Sequence, residues 1–192
     1  MNQSLTIPRT LIERVVRGRV AFDVLLVLGG SALIAIAAQI AIPMPFSPVP
    51  LTMQPLAVLL VGVVLGSKRG AAAAMLYLLE GLSGLPVFAQ GHGGAVWLGG
   101  ATAGYLYSYP FAAFVAGWFS ERGWGTTLLR SVAGMLVALA VIYAGGWTWL
   151  ALVTTSPGMA YAIGVEPFIL ADIIKVAFGA ALLPWAQRLI GR

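Results

Sequence analysis

An acid and a base lie three residues apart in the last long apolar stretch of the chain, Phe168 to Gln187. At this spacing Asp172 and Lys175 share one face of a helix. An ionisable side chain inside a membrane span is costly, so it usually faces a partner, a cavity or a ligand. Two interpretations stay open. Either the pair is self-neutralising, or the ammonium binds a ligand carboxylate while the carboxylate accepts hydrogen bonds from ligand N–H groups.

Two glutamines lie in irregular segments that are rich in proline or glycine. The segment Pro43–Gln54 contains four prolines, which fix φ and remove backbone donors, so most of it cannot be helical. It predicts either a rigid lid, with Gln54 facing inward, or an ordinary stiff connector. In the glycine-rich segment Gly81–Gly94, Gln90 offers two donors and an acceptor, which suits an uncharged amide-like or urea-like group.

Enzymatic and metal chemistry have little support in the sequence. Gly81-Leu-Ser83-Gly resembles the nucleophile motif of rhomboid intramembrane proteases, which leaves an intramembrane serine hydrolase as an alternative function. Such a serine needs a base, and the single histidine, His92, lies in a glycine-rich loop rather than on a later helix. One histidine and no cysteine do not suit a metal site. We expect no enzyme, no metal and no cofactor.

The composition is that of an integral membrane protein. Of 192 residues, 60% are hydrophobic and 9% are charged, against about 25% charged in a typical soluble domain. The length predicts one domain, residues 1–192. The net charge of +5 is spread between apolar segments rather than gathered on one face, so we predict no nucleic-acid partner.

The apolar runs predict an all-α integral membrane bundle of six transmembrane helices. The first run, Val24–Ile42, has the length that a helix needs to cross the hydrocarbon core, and it is longer than the apolar region of a signal peptide. The second and third runs are short, which is tolerated where neighbouring loops fold inward and line a cavity. The remaining predicted spans are Pro55–Gly66, Ala71–Leu79, Ala101–Ser120, Ser131–Leu152 and Phe168–Gln187.

Charge predicts how this bundle is oriented. On one side of the predicted bundle, the connecting segments contain no Lys or Arg: Pro43–Gln54, Glu80–Gly100 and Thr154–Pro167. By the positive-inside rule this side is the outer one, and both termini are cytoplasmic. Lys175, near the outer side, is not a topology signal. The other ten of the eleven basic residues fall on the opposite side: Arg9, Arg14, Arg17, Arg19, Lys68, Arg69, Arg122, Arg130, Arg188 and Arg192.

Aromatic residues also concentrate near the predicted outer side. Interfacial belts explain most such residues in membrane proteins, and one or two of them could wall the apolar body of a ligand. The sequence does not choose among Trp97, Tyr105, Trp147, Trp149, Tyr161 and Phe168.

Several motifs, in order along the whole chain, resemble those of the BioY family, the biotin-binding S components of energy-coupling factor (ECF) transporters. They are Pro48-Val-Pro-Leu-Thr-Met-Gln54, Gly84-Leu-Pro-Val-Phe-Ala89 with Gly93-Gly94, Ala101-Thr-Ala-Gly-Tyr-Leu106, and Asp172-x-x-Lys175. The chain departs from the family's common motifs at two places. It has Gly100-Ala101-Thr102 where Gly-Pro-Thr is common, and Leu170-Ala171 where Pro-Gly is common. Asp172 and Lys175 of the last motif are both present.

The resemblance implies a function and a site. Biotin would bind near the outer face of a multi-pass protein of the bacterial plasma membrane. Lys175 would meet the valerate carboxylate, Asp172 and Gln90 the ureido group, and Gln54 would line the pocket or support its lid. Partners would be a membrane coupling (T) component and two ATPase subunits. A helical assembly protein without a transport role stays a further alternative.

Small residues on the first span suggest where such a partner would dock. Ser31, Ala35 and Ala38 are spaced so that helices could approach closely in lipid. Gly62 to Gly66 and Gly100 to Gly104 carry similar spacing, and packing within the bundle is the simpler explanation for patterns of this kind.

Overall fold

The computed structural model describes the backbone of residues 20–190 and the side chains of residues 20–183. This part is mainly helical, with one antiparallel hairpin. Six helices coincide with the six predicted apolar segments, and a seventh, α6, is a short addition inside a predicted outer segment. The elements are α1 Val20–Gln39, β1 Ala41–Met44, β2 Ser47–Thr52, α2 Gln54–Leu65, α3 Ser67–Leu82, α4 Ala103–Glu121, α5 Leu128–Thr154, α6 Pro157–Gly164 and α7 Glu166–Ile190.

The proline-rich segment forms a β-hairpin, which the all-α prediction did not include. Ala41 pairs with Thr52 and Ile42 with Leu51, and a bulge lies between Ile42 and Met44. Both strands are edges, the setting in which strand prolines are tolerated. The hairpin also explains why α1 ends at Gln39, three residues before the predicted end of the first span.

Helix α4 is central and packs against α2, α3 and α5. Glycine permits two of these approaches. A Cβ on Gly62 would come 2.3 Å from the Ala113 carbonyl oxygen, and a Cβ on Gly104 would come 2.3 Å from the Gly145 carbonyl oxygen. Both glycines therefore serve packing within the bundle, the simpler of the two explanations for their spacing.

A single residue, Gly66, connects α2 to α3. Its φ of 89° lies where a side chain would be strained. The carboxylate of Glu121, at the end of α4, accepts hydrogen bonds from the Ser67 backbone nitrogen at 2.6 Å and the Ser67 hydroxyl at 2.9 Å. A carboxylate at this position satisfies the first amide of α3 and complements the helix dipole.

Among the residues that the structure describes, two helices are long and apolar enough by themselves to cross a bilayer, Val20–Gln39 and Leu128–Thr154. Helix α2 has 12 residues, which at about 1.5 Å per residue is too short for the hydrocarbon core. Large apolar side chains are exposed around the bundle, among them Leu25, Phe111, Leu129, Leu152 and Phe178. Such an exterior suits lipid rather than water.

The six-span topology with cytoplasmic termini stays a prediction. The terminal basic residues on which it depends lie outside the side chains that the structure describes: Arg9, Arg14, Arg17, Arg19, Arg188 and Arg192.

Candidate functional site

A cavity of about 250 Å³ lies at the end of the bundle that carries the hairpin. Its walls come from the hairpin, the connection between α3 and α4, and the helices α2, α4, α5 and α7. Much of the lining is apolar or aromatic, and a few polar side chains interrupt it. This composition is the usual one for a small-molecule site. The polar side chains in the walls include Thr52, Gln54, Gln90, His92, Tyr105, Tyr109, Tyr143 and Asp172.

Asp172 supplies the negative charge of the cavity wall. It lies one helical turn after Phe168 on α7, and both residues line the cavity. Asp172 is only 3% exposed. Its Oδ1 accepts a hydrogen bond from the Lys175 ammonium at 2.7 Å, and its Oδ2 accepts one from the Tyr143 hydroxyl at 2.8 Å. These two charge-assisted bonds offset the cost of burying the carboxylate and hold its orientation.

Lys175 is paired rather than free. Besides Asp172, its Nζ donates to the backbone carbonyl of Thr52, the last residue of β2, at 2.7 Å. The side chain is 13% exposed and lies beside the cavity rather than in its lining. The ion pair that the sequence suggested is therefore present, and the same ammonium also ties the hairpin to α7.

Gln54 is the first residue of α2, and its side chain is buried against the cavity. Its Nε2 donates to the Tyr77 hydroxyl of α3 at 2.6 Å, and its Oε1 accepts from the Thr52 hydroxyl at 3.2 Å. The amide therefore connects the end of the hairpin to the core of the bundle. One N–H of this amide has no partner in the described part of the chain and is available to a ligand.

Gln90 forms the tip of a tight turn in the connection between α3 and α4. Both it and the following Gly91 have positive φ, 62° and 73°, the combination that a type I′ turn requires. Gln90 lines the cavity. Within residues 20–183 its side-chain amide makes no hydrogen bond, so its two donors and its acceptor are open to a ligand.

An aromatic platform lies next to this turn. The rings of His92 and Trp97 stack with centroids 3.8 Å apart, and both line the cavity. The His92 Nδ1 lies 2.8 Å from the Ala89 carbonyl oxygen, so the ring serves to shape the turn. Of the aromatic residues that the sequence left undecided, Trp97, Tyr105 and Phe168 line the cavity, whereas Trp147, Trp149 and Tyr161 do not.

The sequence did not single out two tyrosines of the cavity wall, Tyr109 on α4 and Tyr143 on α5. Each carries a hydroxyl group within a mainly apolar helix. A hydroxyl in such a helix normally needs a partner, and that requirement is the signal that could have drawn attention to them.

The predicted docking residues lie mostly inside the bundle. Ser31 and Ala38 are fully buried, and the Ser31 hydroxyl donates to a carboxylate oxygen of Glu80 on α3. Ala35 is partly buried. In this conformation Ala35 alone of the three offers surface to a partner, and the docking role stays a prediction.

The structure gives no support to the hydrolase alternative. Within the described residues, the Ser83 hydroxyl donates to the Glu80 backbone carbonyl at 2.7 Å and has no imidazole or carboxylate partner. A serine nucleophile needs such a base within hydrogen-bond reach. Among the same residues there is no cluster of three or more His, Cys, Asp or Glu side chains that could hold a metal ion.

Comparisons with known proteins agree with one another. The sequence model of the BioY family matches residues 8–192. A probable biotin transporter BioY of Pyrococcus horikoshii is 41% identical over 160 residues, covering 83% of this chain and 91% of that protein. The biotin transporter BioY of Rhizobium etli is 38% identical over 166 residues, covering 83% and 89%. The crystal structure of the S-component for biotin from an ECF-type ABC transporter superposes with a TM-score of 0.79 at 26% identity, covering 90% of this chain and 92% of that one.

Proposed function

The chain belongs to the BioY family, and we propose that it is the biotin-binding membrane subunit of an ECF vitamin uptake transporter. The observation that carries the proposal is the cavity itself. It places a buried carboxylate, Asp172, in walls that are otherwise largely apolar, beneath a hairpin. The same walls contain the carboxamide of Gln90, which makes no hydrogen bond among the residues that the structure describes. Two relatives described as biotin transporters and a biotin S-component of the same fold support it.

The chemistry of biotin matches these walls group by group. Its urea-like head has two N–H groups, from which the Asp172 carboxylate can accept hydrogen bonds. It also has one carbonyl oxygen, to which the Gln90 amide can donate. Its bicyclic body and methylene chain are apolar and suit Leu106, Ile142 and Phe168. In this proposal Gln54 contacts the ligand or supports the hairpin above it.

The anionic tail of biotin is assigned to Lys175. In the structure that ammonium contacts the Thr52 carbonyl, and Thr52 lines the cavity. A carboxylate that arrives beside Thr52 can replace or join the neutral carbonyl as a partner, and a charged acceptor forms the stronger bond. Binding of the biotin carboxylate would then involve Lys175, the same residue that connects the hairpin to α7.

The hairpin acts as the lid of this site in our proposal. It covers the cavity with Met44, Val49 and Leu51, and it is fastened on two sides. The Ser47 hydroxyl donates to the Ile163 carbonyl of α6 at 2.6 Å, and Lys175 donates to Thr52. Release of these bonds would open the cavity to the outer side without disturbing the helices.

Capture and import are separate tasks. The chain contains no Gly-x4-Gly-Lys phosphate loop, and it therefore needs other subunits to couple ATP hydrolysis to transport by that route. We propose that a membrane coupling component and two ATPase subunits drive release inward. The chain itself would be a single multi-pass domain of the bacterial plasma membrane, with six crossings and cytoplasmic termini.

Equilibrium binding to the purified protein tests the function and the assignment of Lys175 together. The ligands are biotin and its uncharged carboxamide, each measured with the wild type and with Lys175→Ala. We expect the wild type to bind biotin tightly and to prefer it to the carboxamide. Lys175→Ala should weaken biotin binding at least about 30-fold, the effect of removing one member of a buried charge pair, and should lose the preference.

A control variant and two contrary outcomes separate the proposed function from the assignment of Lys175. Lys68→Ala is the matched control, because Lys68 is exposed and lies on the opposite side of the predicted topology. Absence of saturable biotin binding by the wild type would refute the proposed function. An unchanged preference for biotin over the carboxamide in Lys175→Ala would refute only the contact between Lys175 and the carboxylate.

A further inference from the structure

Gln39, the last residue of α1, holds the turn that presents Gln90. Its Nε2 donates to the Phe88 carbonyl at 3.1 Å, with a longer contact of 3.4 Å to the Val87 carbonyl. Its Oε1 accepts from the Gly91 backbone nitrogen at 2.9 Å. The same Nε2 also reaches the Ala35 carbonyl of its own helix at 3.1 Å. The side-chain amide of Gln39 therefore forms hydrogen bonds with the backbone of the turn both before and after Gln90.

The turn needs such support because its backbone is unfavourable. Gln90 has φ 62° and ψ 28°, a left-handed conformation that residues other than Gly, Asn and Asp adopt at a cost. Strained residues persist only where the surrounding structure over-determines them. The direct closing bond of the turn, from the His92 nitrogen to the Ala89 carbonyl, is long at 3.4 Å. A shorter bond, 2.8 Å from the Phe88 nitrogen to the His92 carbonyl, closes the base.

The base of the turn is anchored independently of Gln39. Phe88 is 3% exposed and its ring meets Tyr77 edge to face at a centroid distance of 5.6 Å. At the far side His92 stacks on Trp97. These contacts, together with the 2.8 Å approach of the His92 Nδ1 to the Ala89 carbonyl oxygen, fix where the turn begins and ends. At the tip, the Gly91 backbone nitrogen donates to the Gln39 amide oxygen.

We propose that Gln39 is a positioning residue for ligand recognition, which acts by keeping the Gln90 side chain aimed into the cavity. This inference rests on the proposed function, because it assumes that Gln90 contacts the bound biotin. Gln39 itself does not line the cavity, so its effect on binding passes through Gln90. Loss of its amide lets the tip relax from the left-handed conformation, and the Gln90 carboxamide turns away from the ligand.

A double-mutant cycle tests the inference with biotin as the probe. Equilibrium affinity is measured for the wild type, Gln39→Ala, Gln90→Ala and the double variant, and thermal stability is measured for each without ligand. We expect each single change to weaken binding about tenfold, the loss of roughly one well-placed hydrogen bond. The double variant should be no weaker than Gln90→Ala within about twofold, because contacts that act through one another are not additive.

Ser83→Ala is the matched control. Ser83 lies in the same connection between α3 and α4 and is exposed, and its hydroxyl donates to the Glu80 carbonyl of α3 without contact to the turn. We expect its biotin affinity to equal that of the wild type. We also expect the melting temperature of Gln39→Ala without ligand to stay close to that of the control, since its bonds lie largely at the exposed surface.

The results separate the inference from the function beneath it. If the wild type does not bind biotin, the proposed function fails. If the wild type binds and Gln39→Ala binds equally well, or if the two single effects add in the double variant, the positioning role of Gln39 is refuted. Normal binding by Gln90→Ala refutes it as well, because Gln39 would then have nothing to position. A loss of binding that only follows a loss of thermal stability would show a structural role instead.

Discussion

Each carboxylate oxygen of the buried Asp172 accepts a hydrogen bond, one from its own helix and one from a neighbouring helix. Lys175 on α7 supplies one donor and Tyr143 on α5 supplies the other. A buried carboxylate with only one partner would face a desolvation cost that a single bond does not cover. The tyrosine is therefore as much a part of the site as the ion pair.

Removal of the Tyr143 hydroxyl tests this dependence. Tyr143→Phe leaves one buried oxygen of Asp172 without its protein donor, and we expect the ligand-free protein to lose about 1.5–3 kcal/mol, the contribution of a hydrogen bond to a charged group. The measurement is thermal unfolding in detergent with and without biotin. Biotin should stabilise the variant more than the wild type, because the N–H groups of the ligand would supply the missing donor.

Tyr107→Phe is the control for this prediction. Its hydroxyl donates to the Leu98 carbonyl at 2.6 Å, but the side chain is 43% exposed and lies outside the cavity lining. We expect only a small loss of stability, and no extra effect of biotin. Equal melting temperatures for the two variants would show that Asp172 does not need the Tyr143 donor.

Some residues of the site could be predicted from the sequence and others could not, for a physical reason. Asp172 and Lys175 stand out because they are charged, three residues apart and inside an apolar run. The role of Tyr143 and of the Thr52 carbonyl depends on which face each element presents to α7. That information arises only when the helices pack, so spacing within one helix does not contain it.

At the scale of elements, the hairpin is the main departure from expectation. Pro43, Pro48 and Pro50 correctly indicated that the segment is not helical. Prolines break the alternation and donor pattern by which strands are usually predicted, so the pairing of Ile42 with Leu51 was not evident. Residues of the hairpin line the cavity, where the lid that we propose would lie.

The lid proposal predicts a kinetic effect for its fastening to α6. Ser47→Ala removes the hydroxyl that donates to the Ile163 carbonyl and accepts from the Val49 nitrogen. Because a neutral hydrogen bond contributes about 0.5–1.5 kcal/mol, we expect biotin to dissociate about 3- to 10-fold faster. The association rate should change less, since the open lid is the state that admits the ligand.

Ser156→Ala is the matched control, because it loosens α6 at its other end. Its hydroxyl accepts from the Met159 nitrogen and caps that helix without contact to the hairpin. Rapid mixing followed by competition with unlabelled biotin gives both dissociation rates. A Ser47→Ala rate no faster than that of Ser156→Ala would contradict the lid.

At the scale of the whole molecule, the long apolar runs predicted the helices well. Each predicted span falls on an observed helix, and α3, α5 and α7 extend beyond their predicted ends at both termini. The hydrophobic pattern is strong because every helix faces either its neighbours or an apolar surround. Helix α6 was missed because eight residues, Pro157–Gly164, are too few to form a span and contain three residues that disfavour helices, Pro157, Gly158 and Gly164.

The orientation of the bundle is the remaining prediction at this scale, and the absence of native cysteine makes it directly testable. Ser83→Cys places a thiol in a segment predicted to be outer, and Thr126→Cys places one between α4 and α5, on the side predicted to be cytoplasmic. Both positions are exposed in the structure, and neither change removes a charge. A membrane-impermeant maleimide should therefore label Ser83→Cys in intact cells and should label Thr126→Cys only after the membrane is opened.

The unsubstituted chain is the background control, since it has no thiol to label. Biotin binding by each variant confirms that the introduced thiol has not disturbed the fold. The positive-inside rule places Arg122 and Arg130, which flank Thr126, on the cytoplasmic side. Labelling of Thr126→Cys in intact cells would show that the bundle has the opposite orientation. The cavity and its lid would then open toward the cytoplasm, which a subunit that captures a vitamin from outside could not use.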